Sequence, residues 1–121
     1  MAEYETVLQK EVEFIPEWDH NAEKDAPIKV FLRYLTTGER ARCFNIDTDP
    51  RGNVHVTADD ELLFRLGVVR IENFTVNGKA ITTAREVLEL LVPVNAPPFG
   101  LLVDEVGSKV SLMNWKADSK N

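Results

Sequence analysis

The fold of this chain is decided by residues 59–91, which read DDELLFRLGVVRIENFTVNGKAITTAREVLELL. Apolar residues recur at helical spacing in the first third of the stretch and again in its last third. Between them, an Asn-Gly pair separates two short runs that favour strands, a pattern typical of a tight β-hairpin. The stretch therefore predicts a helix, a hairpin and a second helix in succession.

The first of these helices begins at Asp59 or Asp60, because an acidic side chain accepts hydrogen bonds from the free amides of a first turn. Gly67 lies inside the predicted helix, where a glycine costs about 1 kcal/mol relative to alanine. We therefore expect another part of the backbone to pack closely against it. The apolar face of the helix comprises Leu62, Leu63, Leu66, Val68 and Val69.

The hairpin joins residues 74–76 to residues 79–81 through Asn77 and Gly78, residue types that accept the positive φ angles of a type I′ turn. Thr83 with Glu86 three positions later is a capping box and predicts the start of the next helix. Thr82 could serve as the cap instead. The apolar face of this helix comprises Val87, Leu88 and Leu91, and Pro93 ends it.

Composition predicts one globular domain. The chain has 121 residues, of which 44% are hydrophobic and 28% are charged, so it can bury a stable core without disulfide bonds or bound metals. It has a single cysteine, Cys43, which excludes an internal disulfide framework and favours the reducing cytoplasm. No apolar run approaches the roughly 20 residues that span a bilayer, and the N-terminus lacks the features of a signal peptide.

The net charge of −6 is concentrated at one end. Residues 1–25 hold eight acidic residues and two lysines, whereas the rest of the chain is balanced. No basic patch is evident, so the sequence predicts neither nucleic-acid binding nor membrane binding. We expect residues 1–10 to be a flexible acidic terminus, and contact with a basic partner is the functional alternative.

Three segments upstream of the deciding stretch predict strands: residues 11–15, 28–35 and 54–56. In the second segment, one face carries only apolar residues and should meet the core; these are Ile28, Val30, Leu32 and Tyr34. Pairing of the first two segments would make an antiparallel meander. Thr36 with Glu39 is a capping box and predicts a short helix to about Phe44, with Arg40 and Arg42 pointing outward.

A polar loop over residues 17–27 contains Trp18, Asp19 and His20. Its carboxylates and imidazole could coordinate a metal, but their spacing matches no ligand motif. Packing of His20 against Trp18 is the favoured interpretation. The sequence therefore predicts no metal site and no cofactor.

The last predicted helix covers residues 100–114, after the stiff segment 95–99. Its apolar stripe offers the candidate partner-binding residues Leu102, Val106, Val110 and Met113, together with Val103. The alternative is that this stripe belongs to the protein's own core, as most helix stripes do. Gly107 is a second position where close packing is expected.

No constellation typical of an enzyme is present in the sequence. It lacks a phosphate-binding loop, paired cysteines and the motif of a nucleophile elbow. Cys43 is interpreted as a small core residue, since free cysteines are usually buried. We therefore predict that the protein is not an enzyme and has no catalytic residues.

Several motifs follow one another in a distinctive order. They are IKVFLRYLTTGER at 28–40, LLFRLGVVRIEN at 62–73, GKAITT at 78–83, VLEL at 87–90 and LVDEV at 102–106. In this order the chain resembles the small tail assembly chaperones of long-tailed bacteriophages and prophages over about residues 11–110. It differs from the more helical members in having more predicted strands before residue 60.

The resemblance implies a non-enzymatic protein, without a cofactor, in the cytoplasm of a bacterial host. Such chaperones bind the long helical tape-measure protein before the tail tube polymerises around it, and they could also recruit tail-tube subunits. A homo-oligomer is compatible with this role. The sequence does not show whether a longer frameshifted product is made.

Two other classes of protein remain open. One is a head–tail connector or tail-terminator-like ring protein, in which Lys29, Arg33 and the acidic N-terminus would form intersubunit ion pairs. The other is a generic bacterial protein-interaction module. For all three, the predicted fold class is α+β: a small antiparallel sheet made from the three upstream strands and the Asn77-Gly78 hairpin, with three to four helices packed on it. The whole chain, 1–121, forms one domain with a flexible tail at residues 116–121.

Overall fold

The computed structural model describes residues 2–119, with side chains described up to residue 115. It has an α+β fold, as predicted. In chain order the elements are β1 Val12–Phe14, a 3-10 helix Trp18–Glu23, β2 Lys29–Leu32, α1 Thr37–Cys43, β3 Phe44–Thr48, β4 Val54–Ala58, α2 Asp60–Gly67, β5 Val68–Glu72, β6 Thr75–Val76, β7 Lys79–Ala80, α3 Ala84–Leu88 and α4 Phe99–Ser119.

Both termini of the chain were predicted to be flexible tails. Residues 2–11 form neither helix nor strand, although both backbone groups of Tyr34 hydrogen-bond to the side-chain amide of Gln9. At the other end, the backbone of α4 continues to Ser119, beyond the predicted end at Asn114. The rest of the predicted C-terminal tail, residues 120 and 121, lies outside the described residues, as does residue 1.

The central sheet has three antiparallel strands in the order β1-β2-β5. The predicted meander of the first two strands is confirmed, with Val12 opposite Leu32 and Phe14 opposite Val30. Alternation in β2 directs Val30 and Leu32 into the core, where they are at most 1% exposed. The sheet therefore presents one apolar face to the helices, as the sequence predicts.

The third strand of this sheet corrects the sequence analysis. Val68 and Val69 were predicted to lie on the apolar face of the helix, but α2 ends at Gly67 and Val68–Glu72 pairs with β2. The O atom of Gly67 accepts a hydrogen bond from the N–H of Arg33 at 2.9 Å, which joins the helix end to the sheet. The run Val-Val-Arg-Ile suits a pleated strand, and pairing with β2 outweighs its helical spacing.

The remaining strands do not join this sheet, in contrast to the single sheet that was predicted. β3 and β4 form a two-stranded hairpin, and β6 and β7 form another. The turn of the second hairpin is confirmed at Asn77 and Gly78, whose φ angles are 52° and 79°. The first hairpin turns at residues 49–53, where the carboxylate of Asp49 accepts backbone N–H bonds from Arg51 and Asn53.

The core lies where α4 and α2 pack on the sheet. Both glycines expected at close contacts lie at them. A Cβ on Gly107 would lie 2.5 Å from the carbonyl oxygen of Asp60, whereas one on Gly67 would lie 2.6 Å from the side chain of Val110 rather than from the backbone that had been predicted. Helix α2 begins as predicted, with the carboxylate of Asp59 accepting the N–H of Leu62. Small residues at these two points let the helices approach closely.

Helix α1 has the predicted capping box. The Thr36 hydroxyl accepts the N–H of Glu39, whose carboxylate accepts the N–H of Thr36. Arg40, however, does not point outward as predicted. Its guanidinium lies 5.2 Å from the ring centroid of Phe44 and 5.3 Å from that of Trp115, because aromatic faces attract a cation.

Helix α3 is shorter than predicted. It ends at Leu88, so Leu91 is not part of its apolar face and is 88% exposed. Its start is confirmed, since the hydroxyl of Thr83 accepts the N–H of Glu86. Residues 89–98 then run without helix or strand to the start of α4. This extended segment forms one side of the candidate site.

Candidate functional site

One concave surface of the described chain is an open groove of about 830 Å³. Its walls are the 3-10 helix, the β6–β7 hairpin and the extended segment 89–98. We call it the apolar groove, because its lining includes the apolar side chains Trp18, Ile28, Phe74, Val76, Leu90 and Phe99. Binding sites for side chains or small molecules are concave and mostly apolar in the same way.

An aromatic cluster forms the floor of the apolar groove. The ring of Phe99, at the start of α4, lies 5.5 Å from the Trp18 ring and 5.8 Å from the Phe74 ring between centroids. The indole N–H of Trp18 donates to the carbonyl oxygen of Pro98 at 3.1 Å. Such tilted and edge-on contacts hold aromatic rings in defined orientations, so the floor is preformed.

Helix α4 also positions the wall that carries Trp18. The carboxylate of Glu105 accepts the backbone N–H of Glu17 at 2.7 Å and that of Trp18 at 3.0 Å. These two amides have no partner within the 3-10 helix because they lie at its start. A single carboxylate on α4 therefore caps this helix and fixes its distance from the groove floor.

Asn21 holds the same wall together from inside. Its side chain is fully buried, donates to the carbonyl oxygens of Pro16 and Ile28 at 2.9 and 3.0 Å, and accepts the N–H of Ile28 at 2.7 Å. The preceding residues Asp19 and His20 adopt φ angles of 52° and 55°. Such angles are unfavourable for these side chains, and the hydrogen bonds of Asn21 help to hold the loop in this shape.

The rim of the groove is unusually apolar for a solvent-exposed segment. Leu91, Val92 and Val94 are 88%, 79% and 102% exposed, and all three line the groove. Pro93 lies between them and prevents continuation of helix α3. Contiguous exposed apolar side chains beside a preformed cavity are typical of surfaces that bind another protein.

Charged groups at the mouth of the groove are already paired. Lys24 lies 3.4 Å from the carboxylate of Asp19, and Glu89 accepts a hydrogen bond from Arg85 at 3.2 Å. The Arg85–Glu89 pair is largely exposed to solvent and the Lys24–Asp19 pair partly so, and such surface pairs contribute little to stability. The groove can therefore bind apolar side chains, but it presents no unpaired charge from these four residues to an ionic substrate.

The partner-binding residues expected on the last helix lie elsewhere. Leu102, Val106, Val110 and Met113 are between 0% and 9% exposed and pack in the protein's own core. A partner could contact them only if α4 separated from the rest of the molecule. The sequence allowed this stripe either to bind a partner or to belong to the protein's own core, and in this structure it lies in the core.

The cations proposed for a ring protein are bound within the chain. The Lys29 ammonium lies 3.6 Å from the carboxylate of Glu13. Arg33 makes a bidentate pair with Glu39, with N–O distances of 3.0 and 2.6 Å. This pair lowers the pKa of Glu39 to about 2, mainly through the Arg33 hydrogen bonds. Both cations are therefore occupied in the single chain.

The predicted packing of His20 on Trp18 is wrong. The His20 side chain is 85% exposed and lies 3.5 Å from Glu23, because the positive φ at residues 19 and 20 turns it outward while Trp18 points into the core. Cys43 is buried as predicted, and burial raises the pKa of its thiol. A buried, protonated thiol is a poor nucleophile.

Sequence reasoning missed the groove rim and Asn21. An apolar run interrupted by proline, LLVPV at residues 90–94, was the available signal for the rim, since it suits neither a helix nor a strand. No local pattern distinguishes Asn21, whose three hydrogen bonds are made to residues 16 and 28. Asn21 can make these bonds only when the loop brings residues 16 and 28 together around it.

Within residues 2–119, no helix is long and apolar enough to cross a membrane. The same part of the chain contains no group of three or more histidine, cysteine, aspartate or glutamate side chains placed to hold a metal ion. No family model matches the chain, and neither a curated protein nor a solved structure matches it.

Proposed function

We propose that this protein is a non-enzymatic tail morphogenesis protein of a phage or prophage that binds an apolar stripe of a helical partner in the apolar groove. The observation that carries this proposal is the preformed aromatic floor beside the exposed rim of Leu91, Val92 and Val94. The partner we propose is the tape-measure protein, in the bacterial cytoplasm. Its identity rests on the resemblance to tail assembly chaperones.

The groove suits an amphipathic helix. Such a helix presents anchors at positions i, i+3 or i+4 and i+7 along one face, and it inserts them into an apolar groove while its polar face stays in water. A volume of about 830 Å³ can accept several aliphatic side chains. The rim would cover the sides of the bound helix, so that its apolar face is shielded from aggregation.

Release of helix α4 is the less favourable route to the same function. Burial of each large apolar side chain contributes about 1.5 to 3 kcal/mol, so the five buried residues of its stripe contribute roughly 7 to 15 kcal/mol. A domain of this size is stable by only about 5 to 15 kcal/mol in total. Detaching α4 would therefore unfold the protein, whereas the groove is open in the folded state. The stripe comprises Leu102, Val103, Val106, Val110 and Met113.

The experiment is co-expression of this chain with a phage tape-measure protein, followed by purification and light scattering. We expect a soluble complex from a partner that aggregates alone. Leu91→Asp with Val94→Asp should abolish the complex while leaving thermal unfolding unchanged, because both side chains are almost fully exposed. Each charge placed against an apolar partner surface is costly to desolvate.

The matched control is Leu112→Asp. Leu112 is 48% exposed, and it lies 13 residues along α4 from Phe99, or roughly 20 Å from the groove floor. This variant should keep the complex. If the groove variant binds the partner as well as the unmodified chain does, the proposed site is wrong. If the partner stays insoluble with the unmodified chain, the chaperone function itself is contradicted.

A further inference from the structure

The β3–β4 hairpin is exposed to solvent along almost its whole length. Every residue of β4 is exposed, and so is every residue of β3 after Phe44. In the described chain neither strand pairs with a third one. A two-stranded hairpin of this kind is only marginally stable alone, and an open strand edge is a template for pairing with another chain.

The hydrogen-bond pattern identifies which groups are unpaired at the β4 edge. The N–H of Asp49 donates to Asn53 at 2.9 Å, and the N–H of Asp59 donates to Cys43 at 2.8 Å. Hydrogen-bonded and non-bonded pairs alternate in an antiparallel ladder, so residues 53, 55, 57 and 59 pair inward with β3. The backbone groups of residues 54, 56 and 58 consequently point outward from the hairpin.

Those outward residues are also apolar. Val54 and Val56 are 63% and 49% exposed and share a face with Ile46 of β3, which is 72% exposed and lies directly opposite Val56. The opposite face carries polar side chains, including Asn45, Asp47, His55 and Thr57. The hairpin is therefore amphipathic, with its apolar side unprotected from water.

We propose that the β4 edge pairs antiparallel with the β4 edge of a second copy of this chain. A two-fold axis at Val56 places Val56 opposite Val56 of the second copy and Val54 opposite Ala58. All three are residues whose backbone groups point outward, so the pairing joins two hairpins into one four-stranded sheet. The contact uses the same surface on both copies and closes as a dimer.

Charge complementarity supports this occupant and this register. The pairing brings the tip of one hairpin, which carries Arg51, to the base of the other, where Asp59, Asp60 and Glu61 begin α2. Arg51 makes no ion pair within the described residues. Burial raises the pKa of Asp60, and so do the nearby carboxylates of Asp104 and Asp59. An incoming arginine would reduce the repulsion among these three carboxylates.

The outer edge of β3 is a less suitable surface. Its base carries Arg42, and the acidic group nearest its tip, Asp49, already bonds to Asn53 and to the His55 ring at 3.2 Å. Phe44, at the start of β3, also packs against Trp115 of α4. At the base of β4, Glu61 lies 3.6 Å from Arg65 of α2, but this pair is solvent-exposed and Asp59 and Asp60 stand beside it. β4 itself carries no arginine, lysine or phenylalanine, which is why we assign the interface to its edge.

The dimer should be weak. One five-residue strand edge is much smaller than the roughly 800 Å² per partner that a stable interface buries. Association should therefore appear only as the protein concentration rises, and it should be sensitive to salt because the ion pairs lie at the surface. This inference does not depend on the function proposed for the groove, since none of these residues lines it.

The test is sedimentation velocity of the full chain over two decades of concentration, with hydrogen exchange at both extremes. We expect a monomer–dimer equilibrium, with slower exchange at high concentration of the outward-pointing amides of residues 54, 56 and 58. Arg51→Glu should raise the dissociation constant about tenfold, because each dimer contains the ion pair twice. Glu61→Arg should do the same, and the two changes together should restore the original value.

Arg42→Glu is the matched control, because it changes an exposed arginine at the base of β3 and should leave the dimer unchanged. A chain that stays monomeric throughout would overturn the inference, and so would a double variant that dimerises no better than the single ones. Protection of residues 54–58 that appears only when another protein is added would also overturn it, since the occupant would then be that protein.

Discussion

Replacing Asn21 by leucine tests the account of how the groove wall is held. The side chain of Asn21 is 0% exposed and makes three hydrogen bonds of 2.7 to 3.0 Å to backbone groups of Pro16 and Ile28. Leucine has a similar size but can make none of them. The substitution therefore leaves one N–H and two carbonyl oxygens without their partner in a buried loop.

The expected loss of stability follows from that count. Each buried backbone group left without a partner costs about 1 kcal/mol or more, so the free energy of unfolding should fall by about 3 kcal/mol. For a domain of this size, that is roughly a 12 °C decrease in the melting temperature. The loss is a large fraction of the total stability, but it leaves a folded protein if that total exceeds about 5 kcal/mol.

The assay is equilibrium unfolding in urea, at a low protein concentration so that self-association does not contribute. Asn45→Leu is the matched control, because Asn45 is exposed on β3 and its replacement should change stability by less than about 0.5 kcal/mol. If Asn21→Leu costs less than about 1 kcal/mol, the hydrogen bonds of Asn21 do not hold the wall, and the reasoning is refuted.

Two further predictions concern packing and pH. Gly107→Ala should destabilise the protein by about 1 to 3 kcal/mol, because the new Cβ would lie 2.5 Å from the carbonyl oxygen of Asp60. Gly38→Ala should instead stabilise helix α1 by up to about 1 kcal/mol, because no atom lies within 4 Å of the new Cβ. Thermal unfolding of both variants checks this, and equal effects would contradict it. Glu39→Gln should cost about 1 to 2 kcal/mol at neutral pH, because it breaks the bidentate pair with Arg33. The Glu39 pKa is lowered from 4.5 to about 2, so the contribution of the carboxylate is complete above pH 4.5 and is lost as the pH falls towards 2. Urea unfolding of the unmodified chain and of Glu39→Gln should therefore give different free energies of unfolding at neutral pH and equal ones near pH 2. If the difference persists in acid, the pKa shift of Glu39 does not contribute to stability as proposed.

Local features of the fold could be predicted from the sequence because their causes lie within a few residues. Thr36 and Glu39 form the capping box expected of their spacing, and Asn77 with Gly78 forms the expected turn. Alternation alone placed the inner face of β2 in the core, and Gly107 was correctly expected at a close contact. In each case, backbone sterics or side-chain periodicity acts at short range.

Other features depend on contacts between segments far apart in the chain. Val68 and Val69 continue the helical spacing of α2, yet they begin β5 because β2 offers a complementary edge. Leu91 was assigned to a helix face and instead lies exposed at the rim of the groove. The candidate site itself exists only because α4 brings Phe99 and Glu105 to a loop more than 80 residues earlier.

For this protein, the sequence by itself determined where most helices and turns begin, which residues of β2 are buried and that the fold is α+β. The tertiary structure alone decided that the described strands form three sheets, that the α4 stripe belongs to the core and that apolar side chains are exposed at the groove rim and on the β3–β4 hairpin. The reason is that capping, turn geometry and periodicity are short-range properties, whereas burial is decided only when distant segments compete for the same apolar surface.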